Sequence, residues 1–191
     1  HTKIAGNLII PVPVIKNESK SFKINQEISI TGAFLPNVNI VYTTDGSEPT
    51  KKSPLYFKPF LIDTSCTIKA KVYTDKDSSK TTTASFYKAP NNWKITLNCT
   101  YNKQYTAGGD DGIIDGIYGE TNWRKGEWQG YQSQDFECTI DLGSIKLINS
   151  IAGNYLQDTR SWIIFPTEIE YFISTDGKKF TSVTKMLNPV A

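Results

Sequence analysis

The sequence predicts an all-β protein built from two small modules. Three observations predict it: apolar residues recur at every second position, Asp-Gly, Asn and Pro break those runs at short intervals, and no stretch carries a helical period. Strands punctuated in this way close into sandwiches or jelly rolls whose polar faces meet water.

Taken in chain order, Val38, Ile40 and Tyr42 alternate with Asn39, Val41 and Thr43, and Ile68, Ala70 and Val72 alternate with Lys69 and Lys71. Further on, Phe136, Cys138, Ile140 and Leu142 alternate with Glu137, Thr139 and Asp141, and Ile169, Tyr171 and Ile173 alternate with Glu168 and Glu170. Each run reads as a half-buried strand, because successive side chains of a strand point to opposite faces. The run that ends at Phe86 and Tyr87 gives way to Lys88-Ala89-Pro90-Asn91-Asn92, where Pro and paired Asn interrupt the alternation before Trp93 restarts it. The expected modules are therefore residues 1–88 and 91–191. All four tryptophans, Trp93, Trp123, Trp128 and Trp162, follow the boundary.

Composition sets the class. With 191 residues, two small domains fit comfortably, and 38% hydrophobic with 12% aromatic residues suffices for packed cores. The 21 Lys and Arg nearly balance the 19 Asp and Glu and gather in no run, so neither nucleic acid nor an anionic membrane surface is expected as a partner. No stretch reaches the roughly 20 apolar residues of a membrane span. Cys66, Cys99 and Cys138 have no CxxC spacing; they read as buried thiols, with a Cys99–Cys138 disulfide as the alternative. His1 is the single histidine, so no Ser-His, Cys-His or His-metal arrangement can be assembled. Intrinsic catalysis is not expected.

In the first module Tyr42-Thr43-Thr44-Asp45-Gly46-Ser47-Glu48-Pro49-Thr50 reads as a strand entering an Asp-Gly turn. With Ser53-Pro54-Leu55-Tyr56 and Thr67-Ile68-Lys69-Ala70-Lys71 behind it, residues 10–88 resemble the small fibronectin-like module at the C-terminal side of chitobiases and β-hexosaminidases. That resemblance implies an immunoglobulin-like spacer, not a carboxylate pair at Asp45 and Glu48.

In the second module the series Tyr105-Thr106-Ala107-Gly108-Gly109, Ile114-Asp115-Gly116, Trp128-Gln129-Gly130-Tyr131, Thr139-Ile140-Asp141-Leu142-Gly143, Tyr155-Leu156-Gln157-Asp158 and Ser161-Trp162-Ile163-Ile164-Phe165-Pro166 is similar, in that order, to a discoidin-type (coagulation-factor C-domain) jelly roll. It looks closest to the galactose-binding-like, family 32 carbohydrate-binding modules appended to family 20 β-hexosaminidases. The resemblance implies several strands after Ala191, so the chain is expected to end inside the fold or to have been cut.

What the resemblance implies about function fits the chemistry of the residues. A pyranose offers an apolar face that stacks on an aromatic ring and a rim of hydroxyls that bond planar polar side chains. Segment 154–162 supplies Trp162 for stacking and Gln157, Asp158 and Arg160 for hydroxyls, while Asn122, Trp123 and Arg124 form a neighbouring lip. Trp128 and Tyr155 are expected to face the core. Such modules often hold a structural Ca²⁺, for which Asp110, Asp115 and Thr121 are the candidate ligands, the alternative being turn-forming Asp residues.

The expected function is thus a non-catalytic carbohydrate-binding region of a chitobiase or β-hexosaminidase. It would tether the catalytic domain to N-acetylhexosamine- or galactose-containing glycans in an extracytoplasmic setting. The alternatives are a structural spacer without ligand and discoidin-like adhesion to a protein partner.

Overall fold

The computed structural model describes residues 3–4, 7–16, 19–32 and 38–188, and it is all-β. Among the described residues the helical pieces are three 3-10 turns, Asp110–Ile113, Trp123–Lys125 and Thr159–Ser161, and no helix is long and apolar enough to cross a membrane. The chain divides into two compact units, His1–Asn91 with Ile114–Ile117, and Asn92–Ile113 with Tyr118–Ala191.

The first unit opens with an antiparallel pair, β1 (Lys3–Ile4) and β2 (Asn7–Leu8). A three-stranded sheet follows in which β3 (Val14–Lys16), β5 (Gln26–Thr31) and β7 (Phe60–Ile62) pair antiparallel in the order β3-β5-β7. The four-stranded sheet contains β4 (Ser21–Phe22), β6 (Asn39–Thr43), β8 (Cys66–Tyr73) and β9 (Thr82–Lys88) in the order β4-β9-β8-β6. All its pairings are antiparallel except β4 with β9. Ile28, Ile30 and Ile62 of the first sheet share one core cluster with Phe22, Ile68, Ala70 and Phe86 of the second, which makes the unit a sandwich. Burying each of the larger side chains is worth about 1.5–3 kcal/mol.

The alternation of β8 is realised as read: Ile68, Ala70 and Val72 are buried, while Lys69 and Lys71 turn outward. β6 differs. Its Val41, assigned by alternation to the outward face, is 1% exposed, so that face is covered as well, and the chain returns along the outer edge of β6. There Tyr42 N–H donates to Pro54 O at 3.0 Å and Tyr56 N–H to Ile40 O at 2.8 Å. The inward face of β6 is aromatic, with Tyr42 stacked on Phe60 at 4.7 Å between ring centroids. The Asp-Gly turn forms as the sequence indicates: Gly46 takes φ +78°, and Asp45 Oδ1 accepts from Ser47 N–H and Oγ–H. Those bonds hold the Asp45 carboxyl below its ordinary value. Glu48 turns elsewhere, accepting from the Thr81 hydroxyl and facing Lys71 at 3.6 Å and Lys69 at 3.8 Å.

The second unit has two separate two-stranded antiparallel sheets, β10 (Lys94–Leu97) with β11 (Cys138–Asp141), and β12 (Glu168–Ile173) with β13 (Thr181–Leu187). A register break falls between Tyr171 and Phe172. Between β10 and β11 the chain is braced by side chains standing in for ladder groups. Thr100 exchanges two bonds with the Gln134 amide, and Gln129 Nε2 donates to the Thr106 and Gly109 carbonyls. Among its described residues this unit buries no hydrophobic side chain: Ile145, Leu147 and Leu187 are 79%, 90% and 70% exposed.

Candidate functional site

The candidate site is built on two tight turns of the second unit. The first is the 3-10 turn Trp123–Lys125, whose start is capped by Asn122: its Oδ1 accepts from Arg124 N–H at 3.3 Å, satisfying a backbone donor that the helix itself leaves free. Its end is closed by Gly126 at φ +78°, a left-handed position that glycine occupies without steric cost. This turn presents the Trp123 indole and sets the Arg124 guanidinium carbon 4.2 Å from the ring centroid, a cation–π contact. The edge of Tyr105 meets the same ring at 5.6 Å, with the planes 81° apart.

The second is the 3-10 turn Thr159–Ser161 inside a small backbone clasp. Asp158 N–H donates to Ile163 O at 3.0 Å and Ile163 N–H donates back to Asp158 O at 3.1 Å. Closing a loop that short forces its last residue, Trp162, into the left-handed region at φ +59° and ψ +28°. For a bulky residue this conformation costs about 1–2 kcal/mol. Despite its size the indole is 89% exposed, so burial of the side chain recovers none of that cost, which the clasp's backbone bonds must offset.

One carboxylate joins the two turns. Asp158 Oδ2 accepts from Ser161 Oγ–H at 2.7 Å and from Trp123 Nε1–H at 3.2 Å. The Ser161 hydroxyl first, and then the Trp123 indole, hold the Asp158 carboxyl below the usual aspartate range.

The candidate residues thus take distinct places. Trp162 offers free aromatic faces, and Gln157 and Arg160 are exposed beside it. Asp158, Trp123 and Asn122 are engaged internally, and Arg124 is exposed over Trp123. The two segments named from the sequence are joined by a bond that sequence reasoning did not foresee, the one between Asp158 and Trp123. Its one available signal was that two polar-aromatic turns lie within a single module.

Trp128 is half-buried, its Nε1–H donating to Glu120 O at 2.7 Å. Tyr155, expected to face the core, is instead 39% exposed; its phenol is raised by what desolvation remains and by a hydrogen bond with Tyr171. The metal candidates fall in different compact units, Asp115 in the first and Asp110 with Thr121 in the second. Asp110 Oδ1 accepts from the Tyr101 hydroxyl at 2.8 Å, and Asp115, itself buried, accepts from Ile117 N–H at 2.7 Å. Among the described residues no three His, Cys, Asp or Glu side chains gather as a metal-holding group.

Comparison with known families adds one finding. The family described as Fn3 associated matches residues 28–86, which run from β5 to β9 of the first unit. That match supports reading the region as an accessory module of a larger protein. No curated protein matches the chain.

Proposed function

We propose that the chain is a non-catalytic carbohydrate-binding accessory region of a secreted or surface glycoside hydrolase of the chitobiase or β-hexosaminidase type. In this reading the first unit is a spacer and the second a discoidin-like module that holds glycans of N-acetylhexosamine or galactose type. The observation that carries it is Trp162, a large aromatic fixed in a costly backbone conformation and turned almost wholly into water. The clasp accounts for the backbone conformation, but folding gains nothing from a bulky aromatic there in place of glycine, which supports a binding position.

Trp162 supplies the stacking face, and Gln157 and Arg160 reach the hydroxyl rim. Asp158 and Trp123 fix the turn in place, and Asn122 with Arg124 forms the neighbouring lip. Titration with N-acetylglucosamine, N-acetylgalactosamine and galactose, followed by chemical shifts, tests the reading. Saturable shifts that disappear in Trp162→Ala support it, and flat titrations of folded protein refute it. A structural Ca²⁺ belongs to this reading through the family resemblance alone, since the residues named for it from the sequence are divided between the two compact units. A melting temperature several degrees higher in Ca²⁺ than in chelator supports the ion, and identical melting removes it.

One observation favours a second reading, in which the second unit contacts protein. Apolar side chains such as Ile145, Leu147 and Leu187 stand exposed there. Flat sugar titrations together with strong binding of an apolar dye would favour this reading over the first.

A further inference from the structure

Of the 21 basic residues only two are arginines, Arg124 and Arg160, the other 19 being lysines (21 − 2). Both arginines lie at the candidate site, one in each of the two turns that Asp158 joins to Trp123. Arg124 stacks on Trp123, and Trp123 Nε1–H reaches Asp158, the residue that opens the turn carrying Arg160. Both side chains are exposed, and neither guanidinium makes a hydrogen bond or an ion pair among the described residues. The nearby Lys125, in contrast, is bound to Glu120 at 2.6 Å. The Asp158 carboxylate forms no ion pair with either guanidinium among the described residues, its Oδ2 accepting from Ser161 and Trp123.

Arginine differs from lysine in presenting a planar fork of donors that matches a carboxylate in two parallel bonds, and in stacking on aromatic rings. A chain that uses lysine everywhere else keeps its two forks in the two turns that the Asp158–Trp123 bond joins, one of which carries the exposed Trp162. We propose that the site takes an acidic saccharide, a pyranose bearing a carboxylate: the sugar face lies on Trp162 while the carboxylate is received by the free guanidinium groups of Arg160 and Arg124. This rests on the carbohydrate-binding reading above and narrows its ligand class to uronic acids of the galactose or hexosamine type.

The test is titration of the whole chain with galacturonic acid and with galactose in parallel, and with N-acetylglucosamine 6-sulfate as a differently shaped anion. The expected result is binding of galacturonic acid about tenfold tighter than galactose, as charge-assisted bidentate bonds give. That preference should shrink at high salt. Arg160→Gln and Arg124→Gln, each checked for unchanged melting, should lower the ratio of acid to neutral affinity toward one. Lys146→Gln, the same change of charge elsewhere in the unit, should leave the ratio intact. Equal affinities for galacturonic acid and galactose, both abolished by Trp162→Ala, would overturn the acidic class while leaving sugar binding in place. A tighter fit for the sulfated sugar than for galacturonic acid would overturn the carboxylate assignment, and binding of no sugar at all would overturn both readings.

Discussion

The indole N–H of Trp123 donates to Asp158 Oδ2 at 3.2 Å, tying together two turns that lie 35 residues apart in the chain. Because the same oxygen accepts from Ser161, one ionised carboxylate fixes both the lip and the clasp that carries Trp162.

The first prediction is a pH dependence. The Asp158 carboxyl titrates lower in the folded protein than its ordinary value of 3.8, so its contribution is fully present above that value and is lost as pH falls through the lower folded one. Sugar affinity should therefore be flat from neutral pH down to about 5 and fall only in strong acid. Asp158→Asn should remove the acid-side fall, and Asp158→Ala should weaken binding at every pH. An affinity that already declines between pH 7 and 5 would contradict the assignment.

The second concerns the backbone at Trp162. Glycine adopts φ +59° without penalty and alanine does not. Trp162→Gly should thus be more stable to denaturant than Trp162→Ala by about 1 kcal/mol, although both lose the aromatic face. Equal stabilities would mean that the left-handed conformation is not held in solution.

The third contrasts the two units. Phe86 is 1% exposed in the shared core of the sandwich, and Phe86→Ala should cost about 3–5 kcal/mol. Phe172, half exposed on β12, should cost less than about 1 kcal/mol on the same change. Chemical denaturation followed by a probe in each unit measures both, and a large cost at Phe172 would show that its face is covered in solution.

The fourth concerns the cysteines. All three stand as thiols, and burial pushes Cys66 and Cys138 above their ordinary range. Cys99 Sγ meanwhile sits 3.4 Å from Glu137 O and from Glu137 N, beside Cys138 in the chain. Denatured protein kept free of reductant should titrate three thiols, with slow alkylation of native Cys66 and Cys138 near neutral pH. A count of one would establish a Cys99–Cys138 disulfide instead.

Much of the first unit was legible because alternation reports burial wherever one face of a strand meets the core, as at Ile68, Ala70 and Val72. It misassigned Val41, since a period of two carries no information about a strand covered on both faces. The parallel pair of Ser21 and Phe22 with Tyr87 and Lys88 was invisible, two residues being too few to show any period. In the second unit β11 and β12 were readable as strands but β13 was not, and Phe136, Ile140 and Ile173, read as facing a core, are exposed. Side chains such as Gln129 and Gln134 do the work of a ladder there, and no propensity announces that. The aromatic and polar makeup of the candidate site was plain in segment 154–162. That Asp158 turns inward as an anchor, and that Trp162 stands in a left-handed conformation, both follow from closure of a loop whose geometry depends on Ile163.

The parallel pairing of β4 with β9 has a mechanical consequence. Lys20 O accepts from Tyr87 N–H at 2.8 Å and Phe22 O from Ala89 N–H at 2.9 Å, and the two strands run the same way. Tension along the chain pulls β4 toward its start and β9 toward its end, so these bonds are loaded in shear and must yield together, not one after another as in an unzipping hairpin. The rate of forced unfolding, more than equilibrium stability, then governs how long such a link survives being pulled. A module wired in this way resists a pull on its two ends better than a hairpin holding the same two bonds in sequence.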